Sequence, residues 1–461
     1  MKNYLLISVL LICLPLAQAM AQEAETPAPA NADSTLNLSL NGSNEFRYSL
    51  PVGDLSWPSG YQGSMKMPRL INEIGVTATM GQIKLVSNWE ILNSGTTPQI
   101  NNQENYLSWN PDFFRLGFGY QIFSWGSADG RNPTDNLNPR DYTTLEGSKI
   151  PKLPVLSASL TWYPSDSFSV ETVFVPLPSN SRFPLDYATQ LQAQGLTASY
   201  ATMAADLSNF IAGGKINFRS TAIDLSASYL YDFDTMYTPD VSPTFSIQLE
   251  RKRIHRLGAD LKTTLDRFGL WAEGAYSFGS NWNPADYTER LARIDYTVGI
   301  DFSYGPEDSF YMNFQYTGTI VPQYDYSANT FSNFDPRYLE KSLVYSMAGI
   351  QEKVSQGITW NTRWGFLGDK LTLSFSGSYS LPFLYDDSQK VRYGSLLLRP
   401  EIDFMPFDSF HIALGGVLAY SWVKVGNNGV TQDTNDSMGV YTPQNHLYLS
   451  VSYKWNIALT K

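Results

Sequence analysis

The chain has 461 residues, 16% of them charged and 14% aromatic, including 29 Tyr and 11 Trp, with a formal net charge of −11. Beyond the leader no stretch stays apolar for the roughly 18 residues that mark a membrane-spanning helix, so helical spans are excluded there. No basic run points to nucleic acid, and the modest acidic balance speaks to solubility and a mild cation preference.

Residues 1–21 read as a secretory signal peptide. Lys2 supplies the charged start, Tyr4 to Leu16 the apolar run, and Ala17-Gln18-Ala19 or Ala19-Met20-Ala21 the small-x-small cleavage site. The apolar run is about 13 residues, short of the ~20 that cross a bilayer. Cys13 is the one cysteine, and it follows Ile12 rather than the small residue a lipoprotein signal needs. Cleavage would leave a chain without disulfide or thiol chemistry. Residues 22–35 are a Pro/Ala-rich tether with no core-forming side chains.

From residue 36 the chain alternates apolar and polar residues at period two. Ile294, Tyr296, Val298, Ile300, Phe302 and Tyr304 fall on one face, and Arg293, Asp295, Thr297, Asp301 and Ser303 on the other. Successive side chains of a strand point to opposite faces, so each segment has a greasy side and a wet side. The segments approach the ~9–11 residues of a bilayer-spanning strand, and no chain is left over to cover the greasy side. The expected fold is all-β: a transmembrane antiparallel up-and-down β-barrel over residues 36–461, of about 18 strands (16–20). Short turns such as Ser165-Asp166-Ser167-Phe168, Glu307-Asp308-Ser309-Phe310 and Phe407-Asp408-Ser409-Phe410 carry turn-forming residues and belong in the periplasm. Long connections near 51–68, 94–101, 125–153, 177–211, 232–248, 279–290, 320–345, 382–391 and 423–443 belong outside. One strand at 36–50, eight hairpins and one strand at 445–457 complete the count, and the ambiguous stretch 344–357 could move it by two.

The register predicts which side chains face lipid and which face water. Val298, Ile300, Phe302, Leu371, Leu373, Phe375, Leu449 and Val451 are expected on the lipid side. Gly299 is expected in the lumen, where arginine should be tolerated. Candidate lumen-lining charges are Lys84, Glu90, Arg115, Lys215, Arg219, Arg293, Asp295, Asp301, Arg363, Arg399 and Glu401. A charge facing lipid costs about 2–4 kcal/mol at the midplane, so a wall with both signs interspersed argues for a wet interior. The alternative is that these charges form ion-pair ladders that stiffen the barrel.

The most informative connection follows Gly117, Gly119 and Gln121. It holds four residues of each sign between Asp129 and Lys152. A wall thinned by glycines beside a long polar loop suggests that loop 125–153 folds into the lumen and narrows it. Asp129, Arg131, Asp135, Arg140 and Asp141 are the pore-constriction candidates. An external, charge-decorated loop is the other reading. Residues 186–211 are rich in Ala, Leu, Gln and Met and read as one or two helices, with Leu196, Tyr200, Met203, Leu207 and Ile211 on one stripe. Such a helix would lie on the rim or cap the mouth.

The segment Gly119-x-Gln121…Trp125-Gly126…Asn132-Pro133-x-Asp135 resembles a family of large outer-membrane porin-like β-barrels of unknown function, over about 40 residues. The resemblance implies an outer-membrane location and assembly by the barrel assembly machinery, and the rest of the chain resembles substrate-selective and general porins only in architecture. Such barrels usually end on an aromatic residue, whereas here Trp455 and Ile457 precede a short tail.

No catalytic, metal or cofactor site is expected. His255, His411 and His446 are the only histidines, and none has a spaced Ser or Asp partner or metal-ligand spacing. The basic run Arg251–Arg256 would suit lipopolysaccharide phosphates, anion steering or a solvated face. The leading function is an outer-membrane channel for passive or substrate-selective diffusion of small hydrophilic solutes. A transporter of hydrophobic molecules and a surface adhesin or structural barrel are the alternatives. Expected partners are the bilayer, surface lipid, solutes and a second copy in a homo-oligomer.

Overall fold

The computed structural model describes residues 35–52, 68–93, 98–143, 145, 150–204, 206–279, 291–324, 335–348, 350, 353–380, 391–425, 431–433, 441–442 and 444–460. The expected signal peptide and tether lie outside the described residues, except Thr35.

The first half of the chain forms β1 (Leu36–Pro51), β2 (Arg69–Met80), β3 (Ile83–Asn93), β4 (Gln99–Trp109), β5 (Phe114–Gln121), β6 (Val155–Ser165), β7 (Phe168–Val175), α1 (Tyr187–Ala193), β8 (Thr197–Tyr200), β9 (Ile211–Arg219) and β10 (Ile223–Phe233). It continues through β11 (Thr238–Val241), β12 (Ser246–Glu250), β13 (Arg253–Leu265), β14 (Phe268–Gly279), β15 (Arg293–Tyr304), β16 (Phe310–Ile320) and α2 (Pro336–Met347). The last part is β17 (Val354–Phe366), β18 (Leu371–Ser380), β19 (Val391–Phe407), β20 (Phe410–Val425), β21 (Thr431–Asp433) and β22 (His446–Thr460).

Eighteen of these strands form one antiparallel wall, each paired with the next in chain order once β8, β11, β12 and β21 are set aside. β1 pairs with β22 from Asn37↔Thr460 to Pro51↔His446 and closes the barrel. Closure satisfies every strand edge, as a strand structure inside a bilayer requires. Barrels of 16–18 strands are wide enough to leave an aqueous interior. The ambiguous stretch at 344–357 resolves into the end of α2 and the start of β17, so the count stays at eighteen.

The alternation fixes the faces. Val298, Phe375 and Leu449 are 54%, 44% and 45% exposed on the outside, whereas the intervening Thr297 is fully buried. The tight turns use left-handed backbone: Gly81 sits at φ +56°, and Leu367, Gly368 and Asp369 all have positive φ. Gly299 does face inward, but the Trp271 indole lies over it, and a Cβ there would come within 2.3 Å of the ring. An arginine at Gly299 would have to displace a fully buried Trp, so the expected tolerance at that site does not hold.

At the end opposite the tight turns, three connections pack together. β11 pairs with β12, and β12 runs parallel to β8. Ala188 and Leu191 of α1, Ala198, Val241, Ile247, Leu249 and Met347 of α2 form one apolar cluster. α2 begins at an Asp335 N-cap followed by Pro336, a signal that was present in the sequence. The expected helical stripe across 186–211 does not form. α1 ends at Gln194, Gly195 takes φ +84°, and Leu196 and Tyr200 then belong to the turn and strand of the small sheet. Burial pushes the Tyr200 phenol up to about 12, so it keeps its proton and donates to Asp186 Oδ1 at 3.1 Å.

Neighbouring positions on β18 give a direct check of the register. Phe375→Arg places a charge in lipid, whereas Ser374→Arg places one in the lumen beside Arg363 and Glu401. Phe375→Arg is expected to lose most of the heat-modifiable folded form on a detergent gel, at a cost of about 2–4 kcal/mol. Ser374→Arg should keep it, and equal loss at both would contradict the register.

Candidate functional site

The connection between β5 and β6 crosses the barrel. Its exit is prepared in the wall. Gly119 has φ +129°, and a Cβ there would come within 2.3 Å of the Asn105 carbonyl, so the chain turns inward where only glycine fits. Gln121 is buried and donates to Ser157 Oγ at 2.9 Å. Asn138 then ties the two ends of the loop together. It accepts from Phe123 N at 2.7 Å and donates to the Gln121 and Leu153 carbonyls at 3.0 and 2.9 Å. Phe123, Trp125 and Leu137 pack on Val155, Val173, Val175, Ile211 and Leu230, which seats the root against the inner wall.

The tip reaches the far side. The backbone N–H groups of Ser127 and Ala128 donate to Glu273 Oε1, and Thr134 Oγ1 donates to Glu273 Oε2 at 3.2 Å. Ser127 Oγ donates to Asp260 at 2.6 Å. The N–H groups of Gly130 and Arg131 donate to Gln315 Oε1 at 3.1 and 3.2 Å, and Asn313 Nδ2 donates to Asp129 at 3.1 Å. Arg131 Nη2 bonds Thr319 Oγ1 at 2.9 Å and Asp295 at 3.3 Å, and the Arg131 carbonyl accepts from Thr297 at 3.0 Å. β5 is the fifth strand of the wall, and the contacted strands β13 to β16 are the tenth to thirteenth of eighteen, so the contacts run from five to eight strands round from the loop's origin, the Asn313 and Gln315 contacts lying nearly opposite it.

A second arm swings the other way. Tyr441 Oη donates to the Tyr142 carbonyl at 2.7 Å, and Gln444 Nε2 to the Thr143 carbonyl at 3.0 Å. Leu145 packs with Leu397, Val417, Ala419 and Tyr448 of β19, β20 and β22. The loop therefore stands on three arcs of the wall.

The structure separates the five constriction candidates. Asp129 and Arg131 occupy the tip, and the Arg131 side chain remains half exposed. Asp135 and Arg140 bind each other at 2.9 Å, Lys152 joins Asp135 at 2.6 Å, and together they knot the loop's root. Asp141 pairs with Arg182 of the next connection at 3.2 Å. Those last three fasten the loop to itself and its neighbour.

The lumen candidates sit on the inward register of their strands. Arg293 pairs with Asp295 at 2.9 Å, and Lys215 reaches Asp260 at 4.0 Å. Glu90 accepts from Asn101 at 2.7 Å, and Arg115 lies over the Tyr106 ring at 5.8 Å. Arg363 reaches Asp369 at 3.5 Å, and Glu401 accepts from Tyr448 Oη. Lys84 lies opposite Thr79 and Ser108, Arg219 opposite Asp224, Asp301 beside Gly269, and Arg399 opposite Ser376.

Two residues that matter most to the loop, Asn313 and Gln315, were not among the sequence candidates, whereas the alternation does place Glu273 on the wet face. The two amides carry no charge and stay invisible to a charge inventory. The basic run Arg251–Arg256 is largely spent within the protein. Arg251 bonds the Asp234 carbonyl at 3.0 Å and Asn180 at 2.7 Å, and burial pulls its pKa down. Lys252 pairs with Glu250 at 2.7 Å, and Arg253 lies 3.8 Å over the Phe233 ring. Among the described residues no group of three or more His, Cys, Asp or Glu is arranged to hold a metal ion.

Gly126 explains the Trp-Gly pair. At φ +87°, an added Cβ would lie 2.2 Å from Thr134 Oγ1, 2.5 Å from Asn132 Oδ1 and 2.7 Å from Glu273 Oε1. Removing the Glu273 acceptor strands buried donors at a cost of about 1–3 kcal/mol. In Glu273→Ala the amides of Ser127 and Ala128 are expected to exchange hydrogen roughly ten- to hundredfold faster than in the parent, and Gly126→Ala should act the same way. Unchanged protection would mean the tip is held elsewhere.

No family model matches the chain, and no curated protein matches it by sequence. Solved structures do match. OccAB4 of Acinetobacter baumannii aligns at 9% identity and a TM-score of 0.51, over 93% of this chain and all of that one. OccK3 (OpdO) of Pseudomonas aeruginosa aligns at 9% identity and a TM-score of 0.49, over 92% of this chain and 96% of that one. The fold of this chain is that of an outer-membrane porin barrel.

Proposed function

We propose that the protein is a water-filled channel through which small hydrophilic solutes diffuse across the outer membrane, narrowed by the loop between β5 and β6. The observation that carries this is the hydrogen-bonded span from the loop tip to Glu273 on β14 and to Asn313 and Gln315 on β16, across the interior from β5. A polar strut across a charge-lined interior leaves passages whose walls are carboxylates, guanidinium groups and amides. Such walls compensate for part of a solute's lost hydration and screen it by charge and size. A carrier of hydrophobic molecules would need an apolar route, whereas the apolar inward cluster around Val173, Val175 and Ile211 is covered by Phe123, Trp125 and Leu137 of the loop root.

In this reading Asp129 and Arg131 set the field at the narrowing, and Asp135, Arg140 and Asp141 hold the loop in place. Lys84 and Glu90 on β3, and Arg363, Arg399 and Glu401 on β17 and β19, border the sectors to either side. In this chain the Gly-x-Gln…Trp-Gly…Asn-Pro-x-Asp segment is the part of the loop that folds inward. Its glycines make the exit and the tight turn, and Asn132 organises the tip by accepting from Thr134 N and Asp135 N at 3.2 and 3.0 Å. The reading assigns no residue a catalytic role and needs no cofactor. Its partners are the bilayer and small solutes, with the assembly machinery acting before the channel works.

Planar-bilayer recording tests this. The parent should give discrete conductance steps. Replacing residues 127–131 by two glycines should raise the step size and relax the size cut-off, while the barrel's thermal midpoint changes little. Arg131→Ala should shift selectivity towards cations, because a positive charge leaves the narrowing while Asp129 remains. Absence of steps from the folded parent would overturn the channel, and unchanged steps after the replacement would overturn the constriction.

A further inference from the structure

The β5–β6 loop does not stand in the middle of the lumen; it closes one side. On β14 every inward position from Gly269 to Gly279 is buried. Thr297 on β15 and Asn313, Gln315, Thr317 and Thr319 on β16 are buried as well. One strand further the burial ends. β17 pairs with all of β16, yet from Ser355 to Arg363 none of its inward residues is buried. The other edge falls at β5, where Gly117 and Gln121 are buried while Asn101 and Tyr106 on β4 are not.

On the closed side the polar groups have partners within the protein. Glu273 and Gln315 accept from the loop tip, Lys215 reaches Asp260, and Arg293 pairs with Asp295. A solute that shed its water there would gain no bond in exchange. The open side runs from β17 through β22 to β4. The loop's second arm covers the outer half of β19 and β20, where Leu397, Val417 and Ala419 are buried. Elsewhere this wall is wet: Asn361 and Arg363 on β17, Lys454 on β22 and Glu73 on β2 are exposed on the inward register. Lys454, Ser43, Glu73 and Glu90 follow one another along one hydrogen-bonded row of β22, β1, β2 and β3. Such a row sets donors and carboxylate acceptors side by side, which replaces part of a polar solute's hydration as it passes.

We propose that solutes pass on one side of the loop only, along the inner face of β17–β22 and β1–β4, where Asn361, Arg363, Lys454 and Glu73 are the side chains they touch. The face of β6–β16 behind the loop carries none of the flow. This deepens the channel reading and rests on it. Asn361 lies directly opposite Asn313, which donates to Asp129 at the loop tip, so Asn361 flanks the narrowing on its open side.

Thiol labelling tests this in a Cys13→Ser background, so that the introduced thiol is the only one. Asn361→Cys and Glu73→Cys lie on the open side, and Ala275→Cys and Thr317→Cys replace buried residues on the closed side. A trimethylammonium-ethyl methanethiosulfonate reagent should add to the open-side thiols of the folded protein at least about tenfold faster than to the closed-side ones, which react only when the loop lifts. Intact-mass measurement reads the rates. In planar bilayers the same reagent should lower the single-channel conductance of Asn361→Cys and leave that of Ala275→Cys and Thr317→Cys unchanged. If Ala275→Cys fails to fold, Thr317→Cys carries the comparison. Equal labelling rates on the two sides, loss of conductance from position 275 or 317, or unchanged conductance after complete labelling of Asn361→Cys would each overturn the one-sided path while the channel reading stands. A folded parent without conductance steps would overturn both.

Discussion

The pairing of β1 with β22 is the interaction on which everything else depends. It joins the first and last strands of the wall and removes both edges of the sheet at once. Only a closed sheet can sit in hydrocarbon without stranding backbone donors and acceptors. Closure also divides the side chains into two populations that cannot exchange, because a slip of one residue swaps the faces along a whole strand. With an apolar face committed outward, the inward face must hold the charges, and eighteen strands make that interior too wide to be filled by wall side chains.

A wide polar interior is what makes the β5–β6 loop possible. Backbone amides at the loop tip need acceptors, and the lumen supplies Glu273 and Gln315. The loop in turn covers wall groups that would otherwise face water, such as Thr297 and Asp295. The ion pair of Asp135 with Arg140 and Lys152 stiffens the root, so the strut is held at both ends. Rigidity at the root and polarity at the tip are separate jobs, done by residues only a few positions apart in sequence.

Much of this was legible in the sequence because period-two alternation is a local signal. The expected strand at 36–50 and the observed β1 end within a residue of each other, and the lipid set around Val298, Phe375 and Leu449 lies outside. Pairing between distant residues left no such trace. Ser127 and Glu273 are 146 positions apart, and Gly130 and Gln315 are 185 apart. The segment 186–211 is helical only at Tyr187–Ala193 and in a 3-10 turn at Leu207–Asn209, because helix-forming composition between them lost to Gly195 and to pairing of Thr197–Tyr200 with β12. α2 went unread for the opposite reason: its Asp335-Pro336 start lies within a stretch where barrel logic expects a loop. Gly299 shows the limit of counting faces, since the alternation gives its direction and says nothing of the Trp271 ring lying over it.

The account turns on the loop tip standing against the far wall in the working protein. A Cβ at Gly130 would lie 2.7 Å from Thr359 Oγ1, so Gly130→Cys with Thr359→Cys, in the Cys13→Ser background, places two thiols within bonding reach. The measurement is disulfide formation in folded protein together with single-channel conductance before and after reduction. The account requires the bond to form readily and the conductance to match the parent in both states, because the lock holds the loop where it already is. Failure of the bond to form, or a conductance that changes when it is reduced, would contradict it.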